Sequence, residues 1–180
     1  MLDPAFGYLI TVGIALLFAS AGVQKLRSLA HFTEIFAAYR VLPDAWARRL
    51  AWLIPFLELG VAVTLLWQPS RRAAIISADV VLIAYASGLG VNLLRGRRDL
   101  DCGCGSPRDR RAIAAWMIWR NVFLAAALGA AAVPWLPRPF GSTDFLTVIG
   151  GLAAGVTLYA AVDRLLGQVL PKAMILRSTS

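Results

Sequence analysis

The strongest constraint in this sequence is where its charges are missing. Residues 5–24 carry none across 20 positions, and residues 145–162 carry none across 18. Residues 50–67, 73–94 and 112–134 each carry one: Glu58, Asp79 and Arg120. A helix needs about 20 residues to cross a hydrocarbon core about 30 Å thick, and every run meets or approaches that length. None alternates with a period of two, which argues against a membrane β-barrel. In lipid the backbone must satisfy its own hydrogen bonds, so these runs are expected to be helices. The expected fold is an all-α integral membrane protein of about five transmembrane helices, in one multi-pass domain over residues 1–180.

Ala19-Ser20-Ala21 resembles a signal-peptide cleavage site. The preceding Met1–Pro4 has no basic side chain, however, and the apolar run is longer than a signal core, so a retained helix is expected. The 59% hydrophobic content fits a membrane chain and excludes a disordered one. A net charge of +8 in a soluble protein would suggest nucleic acid. Here the basic residues have a different address. If the five runs span, the segments 25–49, 95–111 and 163–180 share one side and hold 14 Lys and Arg, against 3 on the other. The positive-inside rule then places the 95–111 loop in the cytoplasm and the N-terminus outside, in a cytoplasmic (inner) membrane.

Small residues such as Gly13, Ala15, Ala19, Gly22, Gly88, Gly129, Gly151 and Gly155 permit close helix approach where lipid gives no hydrophobic push. Ordinary packing is sufficient to explain them. The 25–49 connection is longer than a turn. Its Leu29, Phe32, Ile35, Phe36 and Tyr39 recur at three- and four-residue spacing, with Ser28 placed to cap and Pro43 to stop. This pattern predicts an amphipathic helix over 28–41 lying in the membrane interface.

Unpaired charge inside a bilayer is costly, so the intramembrane ionisable residues should have partners. Glu58 and Arg120 each lie 8 residues from the basic end of their runs, about 12 Å deep at 1.5 Å per residue. That matched depth predicts a Glu58–Arg120 pair. Lys25 would reach Glu58 only by extending inward. Asp79, nearer the other face, is expected to be solvated or hydrogen-bonded. A structural ion pair and a role in proton movement both fit.

The two cysteines, Cys102 and Cys104, sit in Asp101-Cys102-Gly103-Cys104-Gly105. Zinc wants three or four ligands, and the one histidine, His31, lies in another segment, where an interfacial role is expected of it. A permanent disulfide across so small a loop would remove little chain entropy. A redox pair is the third reading. Cysteines two apart can be bridged only through a bent backbone, which Gly103 and Gly105 allow. Such a bond would be strained and easily reduced. The six arginines of 95–111 favour thiolates, and Asp99, Asp101 and Asp109 oppose them.

Three segments carry a family resemblance. Gly22-Val23-Gln24-Lys25-Leu26, followed by Phe32 and Tyr39, is similar to the end of the first helix in DoxX-like membrane proteins. Leu42-Pro43 and then Pro55-Phe56-Leu57-Glu58-Leu59-Gly60 resemble that group's second helix. Asp101-Cys102-Gly103-Cys104-Gly105, between the third and fourth spans, is similar to the Cys-Gly-Cys-Phe-Gly segment of the MauE (methylamine utilization) branch, without its phenylalanine. The resemblance covers about residues 5–135. It implies a DoxX-like bundle of four core helices plus a C-terminal span. It also implies thiol–disulfide exchange at Cys102 and Cys104, beside a thioredoxin-like partner of MauD type. The implied client is an exported disulfide-containing protein, such as the methylamine dehydrogenase small subunit.

Exported disulfides form outside the cytoplasm, whereas the charge count puts the cysteines inside. Either the loop is reached from outside through a re-entrant arrangement, or the pair takes electrons from cytoplasmic donors, or the orientation is opposite to the charge count. The alternative function is a non-enzymatic assembly or anchoring subunit whose cysteines are dispensable. A transporter is third, since the spans show no inverted repeat or paired broken segments. No metal or cofactor is identified. A quinone stays open, although quinone-coupled oxidases usually employ a second cysteine pair.

Overall fold

Asp3 starts the first helix in the way its position before Pro4 suggests. Its side chain accepts from the Ala5 amide at 2.9 Å, and Pro4 occupies a first-turn position where no amide is needed. The computed structural model describes residues 1–67, 69, 71–103 and 112–178, with side chains through 165. Among them are six helices: α1 (Pro4–Arg27), α2 (Leu29–Ala38), α3 (Asp44–Leu66), α4 (Arg71–Leu94), α5 (Ala115–Ala131) and α6 (Ser142–Ser178).

Helices α1, α3, α4 and α5 close a ring in which each packs on the next. Helix α2 lies against α3, and α6 leans on α1. One apolar core fills the ring: Ile14 and Phe18 of α1, Val61 and Leu65 of α3, Ile75 and Leu82 of α4, and Leu128 of α5. A second cluster, Leu89, Ile113 and Met117, supports the loop that carries the cysteines. Large apolar side chains also point outward, including Phe56, Val63, Ile83 and Phe123. So much exposed apolar surface suits lipid and would be a liability in water.

Helices α1, α3, α4 and the 142–165 stretch of α6 are long and apolar enough to cross a membrane. Helix α5 is shorter than the expected 112–134 run. Its 17 residues rise about 25 Å. At its start the chain is extended, and the Ile113 amide pairs with the Leu100 carbonyl at 2.9 Å. At its end Pro134 cannot continue the helix. The starts of α1, α3, α4 and α6 and the ends of α1 and α6 instead move outward, most of all in α6, which runs on to residue 178.

The expected amphipathic helix forms, over Leu29–Ala38 rather than 28–41. Ser28 does not cap it. The Ser28 hydroxyl instead donates back to the Gln24 carbonyl at 3.0 Å, closing the end of α1. Arg97 serves the far end of α2 by donating to the Ala38 and Tyr39 carbonyls, where a cation suits the helix dipole.

Small residues divide by role. A methyl group at Gly22 would stand 3.0 Å from the Pro55 carbonyl oxygen, so glycine lets α1 and α3 touch there. Gly151 takes Leu9 in the same way where α6 meets α1. Gly60, Gly129, Gly150 and Gly155 face open space.

Opposite the cysteine-bearing end, the chain is clamped. Leu2 pairs with Pro134 and Leu136 through backbone bonds of 3.0 and 2.9 Å. Arg138 bridges Asp3 and Asp144, both at 2.7 Å. The Arg71 guanidinium stacks 3.9 Å from the centroid of the Trp135 ring.

A charged cavity beneath the cysteine loop

Gly22 and Lys25 stand one helical turn apart on α1, and Pro55 and Glu58 do the same on α3. Where Gly22 meets Pro55, Lys25 is brought to Glu58. Lys25 Nζ donates to Glu58 Oε1 at 2.5 Å, and the Tyr85 hydroxyl of α4 donates to the same oxygen at 2.6 Å. The pair is withdrawn from the surface, with Lys25 7% and Glu58 1% exposed. The ammonium also lies 5.4 and 5.3 Å from the ring centroids of Phe32 and Tyr85. Aromatic faces and a carboxylate together replace its water.

Arg120 of α5 pairs with Asp163 of α6 at 3.5 Å and lies over the Trp116 ring. The expected Glu58–Arg120 pair is thus replaced by Lys25–Glu58 and Arg120–Asp163. Matched depth misled because Lys and Arg are long. Each spans the offset to a carboxylate on a different level. Asp79 lies apart from these pairs. It is half-buried, and its Oδ1 is buried with no hydrogen-bond partner among the described residues.

All four paired charges line one cavity of about 320 Å³. Ile14, Phe18, Leu82 and Leu124 give it an apolar floor, and Tyr85, Asn121 and Tyr159 add polar groups. Cys102 and Gly103 stand in its wall. The cavity therefore lies between the two apolar clusters, with members of both in its lining.

The start of the cysteine loop is held from several sides. Asp101 and Ala112 form an isolated bridge. The Tyr39 hydroxyl donates to the Asp101 carbonyl at 3.3 Å, and Asp101 Oδ1 accepts from the Gly103 amide at 3.2 Å. His31 Nε2 lies 4.0 Å from the other Asp101 oxygen. Gly103 has φ of +68°, and a methyl there would meet Ile35 of α2 at 3.3 Å, so the bend that brings Cys102 to the cavity requires glycine. Cys102 is half-buried. Cys104 and Gly105 lie outside the described residues.

Of the residues singled out from sequence, the structure gathers Lys25, Glu58, Arg120, Cys102 and Gly103 around one space. Asp101 braces it from behind, and Asp79 is not in its lining. Sequence reasoning missed Tyr85, Tyr159 and Asp163. Asp163 had a usable signal: it is the first charge after an uncharged run. The tyrosines had none, because an aromatic residue in an apolar helix is indistinguishable from packing.

Comparison with known proteins agrees with this architecture. The family model "Methylamine utilisation protein MauE" matches residues 3–136, which hold α1 to α5 and the cysteine loop. The chain is 34% identical over 159 residues to the methylamine utilization protein MauE of Paracoccus denitrificans, covering 87% of this chain and 83% of the relative. Identity to the Paracoccus versutus protein of the same name is 35%, with the same coverages. It is 32% to that of Methylophilus methylotrophus, covering 92% and 88%. No solved structure matches. A multi-pass helical bundle with this match over most of its length belongs to the MauE family.

Proposed function

We propose that this chain is a membrane thiol–disulfide redox component whose exchanging pair is Cys102 and Cys104. It would support maturation of an exported disulfide-containing client in methylamine utilization, as the relatives' names suggest, with the methylamine dehydrogenase small subunit as the candidate. The observation that carries the reading is the position of Cys102, on a glycine-dependent bend in the wall of a charged cavity. A structural cysteine needs neither feature. In the reaction, the disulfide of one partner accepts two electrons and two protons from the dithiol of the other, through a mixed disulfide. A thioredoxin-like protein is the fitting exchange partner, because it presents its own dithiol at a surface. The positive-inside count supports an inner-membrane location with the cysteine loop on the cytoplasmic side.

Thiol alkylation with a mass readout in intact cells tests this. Cys102 and Cys104 are expected to move together between dithiol and disulfide as oxidant and reductant are applied. Cys104→Ser should trap a mixed disulfide. A pair locked in one state under both conditions overturns the proposal. Full function in the double Cys→Ser variant favours the anchoring role instead. Labelling with a membrane-impermeant thiol reagent tests the orientation.

A further inference from the structure

Helices α5 and α6 both rest on α1, yet they are not among the helix pairs that pack together in the described residues. Arg120 and Asp163 bridge the space between them, and both line the cavity. Both helices line the cavity on this side, where the ion pair joins them. We infer that the cavity is a binding site for a lipid-soluble quinone, which enters between α5 and α6 and takes electrons from the cysteine pair. The inference rests on the redox reading above.

Four features select this ligand class. The volume of about 320 Å³ is at the low end of small-molecule pockets, about 300–1,000 Å³, so it suits a single ring and excludes a peptide. The floor of Ile14, Phe18, Leu82 and Leu124 takes an apolar ring and the start of its tail. Lys25 and Arg120 present donors, but Glu58 and Asp163 already balance their charges. A balanced site suits neutral carbonyl oxygens better than an anionic phosphate headgroup. Finally, Cys102 stands in the wall. A ligand beside the Cys102 thiol, which must be reoxidised in each cycle, should itself be an oxidant.

The step balances without further reagents. Two thiols and one quinone give one disulfide and one quinol. The S–S bond forms as two S–H bonds break, and both electrons and both protons end on the quinone oxygens. Arg120 and Lys25 are assigned as donors that stabilise negative charge developing on those oxygens.

The test uses the full chain in lipid nanodiscs with ubiquinone-1, a short-tailed benzoquinone. The Cys102→Ser/Cys104→Ser variant reports binding alone, and the reduced native chain reports quinol formation and thiol loss. Binding is expected to be saturable and about 10- to 100-fold weaker in Arg120→Leu, as for loss of a charged hydrogen-bond donor. Should Arg120→Leu fail to fold, Ala21→Phe fills the cavity without touching an ion pair and is expected to weaken binding comparably. Oxidised glutathione is the quinone-independent control. Cysteines that respond to glutathione but not to ubiquinone-1 overturn the quinone site and leave the redox reading intact. Cysteines inert to both overturn the redox reading, and with it the electron transfer. Equal, unsaturable uptake by native and Ala21→Phe chains overturns binding itself.

Discussion

Removing one partner of a buried ion pair strands the other charge where water cannot reach it. Lys25→Met should therefore cost about 3–5 kcal/mol of stability. The Lys25→Met/Glu58→Leu double variant should lose much less than the sum of its singles, as read by denaturation in detergent. Strict additivity would show that the two charges do not depend on each other. At Gly103 the expectation concerns conformation. Alanine at φ of +68° pays about 1–2 kcal/mol for the left-handed backbone and presses on Ile35. Gly103→Ala should loosen the bend, and the reduced chain should be alkylated at Cys102 several times faster than the native one. The importance of Gly103 was legible in the sequence, because a Cys-Gly-Cys segment has few other ways to bend. The partner of Glu58 was not. Depth along a helix is a backbone quantity, while the ion pairs are set by the reach of lysine and arginine side chains.

At the scale of elements, the α1–α3 contact is the most exacting. Gly22→Ala puts a carbon 3.0 Å from a backbone oxygen that can move only with its helix. The expected loss is about 1–3 kcal/mol. Gly60→Ala in α3 is the matched control. Nothing lies within 4 Å of it, and alanine should stabilise the helix by about 0.5–1 kcal/mol. Opposite signs in the two melting shifts would confirm that close approach, not glycine itself, decides the effect. Both glycines look alike in sequence, since small residues in a span show no direction. The spans themselves were legible from the charge gaps alone. Their ends were not, because Asp44, Arg48 and Arg49 continue α3 beyond the apolar run and into polar surroundings. For α2, the apolar spacing was visible in sequence, but Arg97 as its C-terminal partner lies 58 residues past Tyr39.

For the whole molecule, the clamp opposite the cysteine loop gives a pH dependence. Arg138, and then the Ala5 amide, hold the Asp3 carboxyl below its ordinary value of 3.8. A carboxyl depressed in the folded state stabilises it above that ordinary value, and loses the effect as pH falls through the folded value. The melting temperature of the native chain should therefore exceed that of Arg138→Gln at neutral pH, with the gap closing as pH falls below about 4. A constant gap would remove Asp3 from the account. This clamp was outside sequence reasoning, because it joins residues 3, 138 and 144 through folding of the whole chain.

The order of the ion pairs along the chain bears on biogenesis. Lys25 emerges from the ribosome 33 residues before Glu58, and Arg120 emerges 43 residues before Asp163. In each case the cation is threaded into the bilayer first and its carboxylate follows on a later helix. Until then the early helix can hold its long cationic side chain toward the headgroups, and it is recruited inward only when its partner inserts. The two pairs would act as successive latches during insertion. The second closes only once α6 is in place, so a ribosome stalled before residue 163 would release a chain with its first latch shut and its second open.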